Sequence, residues 1–182
     1  MAGKRDRTRA ALLEVALELF ATQGYEQTTM TDVAEAAGVV RQTVLNHFPR
    51  KDAFVAAWGE RRRAELDAAG PPTTDTATAT IERLYDHLAT TNERERALTA
   101  ALHAAYDAIT PQRPVPAALV AAIRRGQATG ELDDTTPAAV IGEVLTAVYF
   151  DTLSRWLALP PNRRLAPLLR ARTRLVLDGL TR

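Results

Sequence analysis

Residues 24–54 read GYEQTTMTDVAEAAGVVRQTVLNHFPRKDAF. This stretch predicts two short helices joined by a tight glycine turn, with the start of another helix after a proline. Thr29 and Asp32 have the spacing of a capping box, in which each side chain accepts a hydrogen bond from the other residue's backbone N–H. Gly38 is expected to end the helix that begins there, because glycine takes a positive φ at little cost. The segment therefore predicts a helix-turn-helix unit.

The second helix of this unit, from about residue 40 to 48, has two unlike faces. Val44 and Phe48 are four residues apart and are predicted to point inward, and Pro49 ends the helix. The opposite face carries Arg41, Gln42, Leu45 and Asn46. Arginine pairs with guanine edges, and glutamine and asparagine pair with adenine edges. The pattern favours a recognition helix in a DNA major groove. A plain helical hairpin with solvated polar residues is the alternative.

The sequence on both sides of this unit also reads as helical. Upstream, apolar residues recur at the spacing of one helix face: Leu12, Val15, Ala16, Leu19 and Phe20. Downstream, helical patterns continue to the end, including one from about residue 51 to 69 whose Arg61, Arg62 and Arg63 are expected to be solvated. A later helix is expected to follow Asn92. No alternating strand pattern appears, so the predicted fold class is all-α, with about nine helices.

The chain is expected to divide into two functional parts. Residues 1–50 form the predicted DNA-binding domain, and the helix at 51–69 connects it to residues 70–182. Gly70-Pro71-Pro72 marks the boundary between them. We expect residues 70–182 to bind a small molecule and to dimerise.

Residues 5–66 resemble the N-terminal domain of the TetR family of bacterial transcriptional regulators. The stretches that match are Phe20–Tyr25, Thr28–Ala34, Ala37-Gly38-Val39, Thr43-Val44, His47-Phe48 and Lys51–Phe54. The resemblance implies a DNA-binding regulator with a helical C-terminal domain and no cofactor. It also implies direct or backbone DNA contacts from Thr29, Thr31, Arg41, Gln42, Thr43, Asn46, His47 and Lys51.

The chain departs from the family pattern at three positions. Val40 stands where a serine usually caps the recognition helix. Leu45 replaces a tyrosine that contacts phosphate, and we propose an apolar contact to a thymine methyl instead. Arg50 replaces a capping serine or asparagine. It is either an additional phosphate contact or an exposed residue that the helix dipole opposes.

The second part of the chain suggests an effector pocket and a dimer interface. Candidate pocket residues are Trp58, Tyr85, His103, Tyr106, Tyr149 and Phe150, although each also fits an ordinary core position. The helices at 137–159 and 165–180 carry more apolar surface than one partner needs. They predict a homodimer through a four-helix interface, and the family resemblance implies the same pairing. Such a dimer can read two half-sites of a palindromic operator in double-stranded DNA.

The composition of the chain indicates the cellular compartment in which the protein is expected. The 182 residues are 46% hydrophobic, contain no Cys and carry a net charge of +1. No stretch approaches the ~20 apolar residues of a membrane span, and the N-terminal residues lack the apolar region of a secretory signal. We therefore expect a cytoplasmic protein. Lys4, Arg5, Arg7 and Arg9 are expected to form a flexible basic arm that contacts DNA or is simply solvated.

Two other functions compete with DNA binding. An enzyme is disfavoured because no metal-ligand spacing or nucleophile–base motif appears, and His103 with Asp107 is more often an ordinary pair on one helix face. A helical carrier of small molecules would use the pocket but would leave Arg41, Gln42 and Asn46 without a role. A mobility shift with operator DNA separates both alternatives from a regulator.

Overall fold

The computed structural model describes residues 3–69 and 75–180, and within these residues the chain forms nine helices and no β-strand. The predicted all-α fold class with an N-terminal helix-turn-helix is confirmed. The boundary predicted at Gly70-Pro71-Pro72 lies outside the described residues. In chain order the helices are α1 Lys4–Gln23, α2 Met30–Ala36, α3 Arg41–His47, α4 Asp52–Ala68, α5 Ala77–Arg94, α6 Arg96–Ile109, α7 Ala117–Thr129, α8 Ala138–Leu157 and α9 Leu165–Asp178.

The chain packs as two compact units that are not continuous in sequence. The first unit combines Met1–Arg62 with Glu95–Pro111, and within it α6 packs along α1. The second unit combines Arg63–Arg94 with Gln112–Arg182. This is a division by packing, and the functional division at residue 70 stays a prediction.

The first unit has an aromatic core beneath the helix-turn-helix. Phe20, Phe48 and Phe54 are fully buried, and the rings of Phe48 and Phe54 stack with centroids 3.9 Å apart. Leu12 and Ala16 of the predicted stripe on α1 are buried with them, and so is Leu17, which lies off that stripe. The additional buried face of α1 is explained by α6, which packs along it.

A close approach joins α4 and α6 within the first unit. A Cβ at Gly59 would lie only 2.0 Å from Cε2 of Tyr106, so the ring of Tyr106 occupies the space that a side chain at residue 59 would need. Trp58 covers the same ring edge-on, with centroids 5.8 Å apart. The glycine therefore permits the observed packing of the two helices.

Two of the three α4 arginines that we expected to be solvated form ion pairs within the first unit. Arg61 pairs with Glu14 of α1 and Arg62 pairs with Glu95. The side chain of Arg62 keeps only 13% of its exposure and lies over the ring of Trp58. The prediction was wrong for Arg62, because its partner is 33 residues away and leaves no local signal.

In the second unit, carboxylates from other parts of the chain close the N-termini of three helices. Glu131 accepts hydrogen bonds from the N–H groups of Ala77 and Thr78 at the start of α5, at 2.7 and 2.8 Å. Asp67 accepts from the N–H of Ala118 in α7 at 2.9 Å. Glu93 accepts from the N–H of Leu165 at the start of α9 at 2.6 Å. These carboxylates satisfy N–H groups that have no partner inside the helix and that favour negative charge.

Glu131 shows the electrostatic effect of this arrangement. Partial burial by itself raises the pKa of its carboxyl, but the N–H donors of Thr78 and Ala77 and the nearby charge of Arg125 outweigh burial. The net effect is a pKa below the ordinary value, because these donors stabilise the charged form.

The ends of α7 and α5 can be compared with the sequence. Gly130 ends α7 in the left-handed conformation, with φ of +74°. The prediction that a helix follows Asn92 is inaccurate, because α5 continues to Arg94 and Asn92 lies buried within it. There Asn92 donates hydrogen bonds to the carbonyl of Leu88 and to the hydroxyl of Tyr149. None of the helices in the described residues is sufficiently long and apolar to cross a membrane.

Candidate nucleic-acid interface

Helix α2 begins with the predicted capping box. The hydroxyl of Thr29 accepts from the N–H of Asp32 at 3.2 Å, and the carboxylate of Asp32 accepts from the N–H of Thr29 at 2.7 Å. The helix ends in a turn at Gly38, where φ is +65°, and the N–H of Val39 donates to the carbonyl of Ala34 at 3.0 Å. This geometry fixes the direction in which the chain leaves α2 and enters α3.

One face of helix α3 is buried in the core of the first unit and the opposite face is exposed to solvent. Val44 and Phe48 are fully buried, while Arg41, Gln42 and Asn46 are exposed. Leu45 is half-buried, and Val40, which precedes the helix without a side-chain cap, is 71% exposed. The two faces predicted from the sequence are therefore present.

The most exposed ridge of α3 carries a hydrogen-bonded pair. The side-chain amide of Gln42 donates from Nε2 to Oδ1 of Asn46 at 3.0 Å. The two residues are one helical turn apart, where side chains on a helix surface can meet. Amide groups on an exposed recognition helix can form paired hydrogen bonds with base edges.

Arg9 supports α3 from α1, a role that the sequence pattern did not reveal. Its guanidinium lies 4.1 Å from the ring centroid of Phe48 and donates a hydrogen bond to the carbonyl of His47. This carbonyl is in the last turn of α3, where cations are favoured. The only available signal was the basic run from Lys4 to Arg9. These residues lie in α1, so the expectation of a flexible arm is wrong for them.

Lys51 connects the end of the helix-turn-helix to the loop before α2. Its ammonium donates to the carbonyls of Tyr25 and Glu26, at 2.8 and 3.2 Å, and lies 4.3 Å from the centroid of the Tyr25 ring. An ammonium group has three donors, so one remains available for a phosphate. The predicted DNA contact of Lys51 stays a prediction beside this observed structural role.

The remaining predicted contacts lie at the ends of the two short helices. Thr29 and Thr31 are exposed at the start of α2, and Thr43 and His47 are half-buried on α3. Arg50 is exposed, and its guanidinium lies 3.2 Å from the carboxylate of Asp52 at the start of α4. This acidic neighbour offsets the unfavourable interaction of Arg50 with the helix N-terminus.

The predicted effector-binding residues fall into two groups. In the first unit, Trp58 and Tyr106 are in contact, and Nε1 of Trp58 is buried with no hydrogen-bond partner. Nε2 of His103 lies 3.7 Å from the carboxylate of Asp107, in the pairing considered from the sequence. Because a buried N–H without an acceptor is costly, Trp58 is the residue of this group that most needs a partner.

The second group lies in the second unit. The ring of Tyr149 lies 6.3 Å from that of Tyr85 and 5.0 Å from that of Phe150, and Arg113 stacks on Phe150 at 4.5 Å. Tyr85 is buried, and burial raises the pKa of its hydroxyl far above the ordinary value. The hydroxyl is therefore neutral at any physiological pH.

The two C-terminal helices leave apolar side chains uncovered. Val144 of α8 is 46% exposed and Leu175 of α9 is 77% exposed. Asp151 of α8 forms ion pairs with Arg155 of the same helix and with Arg172 of α9, both at 2.9 Å. The hydrogen bond from Arg155 and the charges of both arginines lower the pKa of Asp151.

Comparison with known proteins agrees with this geometry. Residues 12–58 match the family model described as bacterial regulatory proteins, tetR family. Over 85% of the chain and 82% of the relative, the sequence is 28% identical to the transcriptional regulator TtgR of Pseudomonas putida. It is 49% identical to the regulator TcmR of Streptomyces glaucescens over 49 residues, which are 27% of this chain and 22% of that one.

A solved structure is similar over nearly the whole chain. Thermus thermophilus FadR, a TetR-family transcriptional repressor in complex with lauroyl-CoA, superposes with a TM-score of 0.76 and 27% identity. The superposition covers 96% of each chain. The similarity therefore includes the C-terminal helices as well as the helix-turn-helix.

Proposed function

Since this chain is a TetR-family transcriptional regulator, we propose that it is a ligand-responsive repressor whose α3 occupies the major groove of an operator. The protein is not an enzyme; its activity is occupancy of DNA. Repression is the simplest outcome, because a protein bound over a promoter blocks polymerase. We also propose that the protein is located in the cytoplasm, because a regulator of this kind must reach DNA.

One observation supports the proposal best: α3 presents Arg41, Gln42 and Asn46 outward while Val44 and Phe48 anchor it in an aromatic core. A helix held rigidly from below can position side chains at base edges without a large ordering cost. We propose that the other contacts come from Thr29, Thr31, Thr43, His47 and Lys51, mainly to phosphates.

Operator binding can be tested without knowledge of the target gene. Duplexes selected by the wild-type protein from a random pool provide the operator, and a mobility shift then compares variants on it. We expect Arg41→Ala with Asn46→Ala to abolish the shift, and we expect Arg124→Ala, which removes an exposed arginine of α7, to retain it. If the wild-type protein selects no sequence, operator recognition is refuted and a helical carrier becomes the better assignment.

We propose that the protein acts as a homodimer through α8 and α9. The exposed Val144 and Leu175 give these helices an apolar surface that a second copy would cover. A homodimer has two copies of the helix-turn-helix, and dimers of this kind read two half-sites about 34–36 Å apart. The Asp151 ion pairs would lie within or beside this interface.

Sedimentation equilibrium tests the interface. Val144→Glu with Leu175→Glu places charge on the apolar surface, and we expect this variant to sediment as a monomer. Ile109→Glu is a matched control, because Ile109 of α6 is an exposed apolar residue at 38% exposure but lies outside α8 and α9. A double variant that remains dimeric would exclude this interface.

We propose that the effector is a small molecule with an apolar body and a hydrogen-bond acceptor. The buried N–H of Trp58 supports the acceptor, and the indole itself with the adjacent ring of Tyr106 supports the apolar body. Binding would favour a conformation in which the α3 helices no longer match the groove spacing, to an extent set by the difference in affinity for the two conformations. We also propose His103 and Tyr106 of the first unit as contacts of this effector. Tyr85 and Tyr149 belong to the second unit and stay predicted effector contacts.

Lauroyl-CoA is a suitable first probe, because the similar FadR structure contains it. In a Trp156→Phe background, Trp58 is the single tryptophan and its fluorescence reports on its surroundings. We expect lauroyl-CoA to change this fluorescence and to weaken operator binding. If both signals stay constant up to millimolar probe, acyl-CoA is not the effector.

A further inference from the structure

Gln42 and Asn46 occupy the part of α3 that extends farthest from the protein. With about 100° of rotation per residue, both positions lie opposite the direction of Val44 and Phe48, and they differ by only about 40° from each other. Leu45 lies about 100° from Val44 around the helix, and Arg41, at the first helical position, lies about 60° from Val44. A groove that accepts α3 therefore meets the Gln42–Asn46 pair before any other side chain.

The hydrogen bond within the pair determines what each side chain can still offer. Gln42 uses one N–H of its amide to reach Oδ1 of Asn46 and keeps its other N–H and its carbonyl oxygen. An adenine edge requires one acceptor for N6–H and one donor for N7. Gln42 retains both of these groups, whereas one of the two lone pairs of the Asn46 carbonyl oxygen is already occupied.

The same bond also fixes the orientation of the Gln42 amide. A glutamine without such a partner can rotate its amide by half a turn and offer donors to guanine, which presents two acceptors in the major groove. Rotation of the Gln42 amide alone would place its carbonyl against the carbonyl oxygen of Asn46 and would lose the bond. The bond could then be regained only if the Asn46 amide rotated as well, so two side chains would have to reorient instead of one. The pair therefore favours adenine over guanine at one base pair.

We propose that Gln42 reads an adenine in each half-site and that Asn46 is a positioning residue that holds the Gln42 amide in the adenine-reading orientation. This inference rests on the proposed operator binding. It assigns the two amides different roles: Gln42 contacts the base, and Asn46 determines how well Gln42 distinguishes adenine from guanine. Arg41 and the residues that contact phosphate contribute affinity and register.

The first measurement locates the base. In the operator selected by wild-type protein, each adenine of one half-site is replaced in turn by 7-deazaadenine, which lacks only the N7 acceptor. At one position we expect wild-type binding to weaken about 2- to 10-fold, as for the loss of one hydrogen bond. Gln42→Ala should be insensitive to the replacement at that position and should keep its sensitivity elsewhere.

The second measurement separates positioning from contact by comparing adenine with guanine at the same position. We expect wild type to discriminate by roughly 5- to 150-fold. Asn46→Leu has nearly the same size but no acceptor, so discrimination should fall about 2- to 10-fold, the cost of ordering one flexible side chain. Asn46→Asp only accepts hydrogen bonds and keeps the Gln42 amide oriented. It should weaken binding to all sequences through phosphate repulsion while discrimination stays at or above the wild-type ratio.

Three results would overturn the inference. Gln42→Ala could retain the wild-type response to 7-deazaadenine at every position. Asn46→Leu could leave the adenine-to-guanine ratio unchanged. Asn46→Asp could lower that ratio as much as Asn46→Leu, which would show that Asn46 itself reads the base. Each of these results still requires a selected operator, so failure of operator binding itself is recognised earlier, when wild-type protein selects no sequence.

Discussion

Replacement of Gly59 by alanine is expected to destabilise the protein in the wild-type background and to stabilise it when Tyr106 is also alanine. The added methyl would lie 2.0 Å from Cε2 of Tyr106, and the ring cannot move freely because Trp58 packs against it. Overpacking of a well-filled core costs about 1–3 kcal/mol. Alanine in place of glycine within a helix gains about 1 kcal/mol. The net loss of folding free energy should be about 0–2 kcal/mol.

Removal of the ring reverses the sign. In Tyr106→Ala the space beside residue 59 is open, so only the gain of about 1 kcal/mol from helix propensity remains. For a chain of this length that gain should raise the melting temperature by about 2–4 °C. The coupling energy between the two positions is therefore expected to be about 1–3 kcal/mol.

Thermal unfolding of the four proteins, followed by far-ultraviolet circular dichroism, measures this cycle. All four must be compared at one protein concentration, because association contributes to the apparent stability. If Gly59→Ala raises the melting temperature equally in the presence and absence of the Tyr106 ring, the two residues do not compete for space and the reasoning fails.

Three further perturbations have defined outcomes. Glu131→Gln should lower the melting temperature at pH 7; because the folded-state pKa of Glu131 is lowered, its stabilisation is complete above the ordinary value of 4.5, and the difference from wild type should shrink as the pH falls below that value. Arg9→Lys keeps the charge but loses the planar contact with Phe48, so thermal melts should show lower stability and filter binding should show weaker operator binding, with an unchanged salt slope. Leu45→Ala should weaken operator binding about 2- to 10-fold where a thymine methyl is contacted, and it should have no effect on the same operator with uracil at that position. Equal losses of affinity on the two duplexes would exclude the methyl contact.

The features that sequence predicted correctly depend on neighbours three or four residues apart. The capping box needs only Thr29 and Asp32, and the inward face of α3 needs only the spacing of Val44 and Phe48. Such patterns can be recognised from a few neighbouring residues, without knowledge of which other helix packs against them. For this reason the helix-turn-helix could be derived almost completely from a short stretch.

The features that sequence missed depend on distant partners. Leu17 is buried because α6 covers that side of α1, and Arg62 is held by Glu95. Arg9 contacts the carbonyl of a residue 38 positions away. Periodicity within one helix contains no information about which other helix will pack on it.

For the predicted effector residues, the sequence indicated some of the aromatic contacts but not their division between the two packing units. Trp58 and Tyr106 are in contact, as are Tyr149 and Phe150, so the aromatic residues do cluster. The two clusters belong to different packing units, however, because α6 joins the first unit across a long stretch of sequence. Aromatic spacing alone could not assign α6 to one unit or the other.

The carboxylates that accept hydrogen bonds from the N-terminal N–H groups of other helices have a practical consequence for the construction of hybrid proteins. A simple exchange of the last helix between two related chains would cut in the loop before α9. Here α9 begins on a carboxylate supplied by Glu93, far upstream in α5. A transplanted α9 would keep its own sequence yet lose its first-turn support unless the recipient carried an acidic residue at that place, so the natural unit of exchange includes α5.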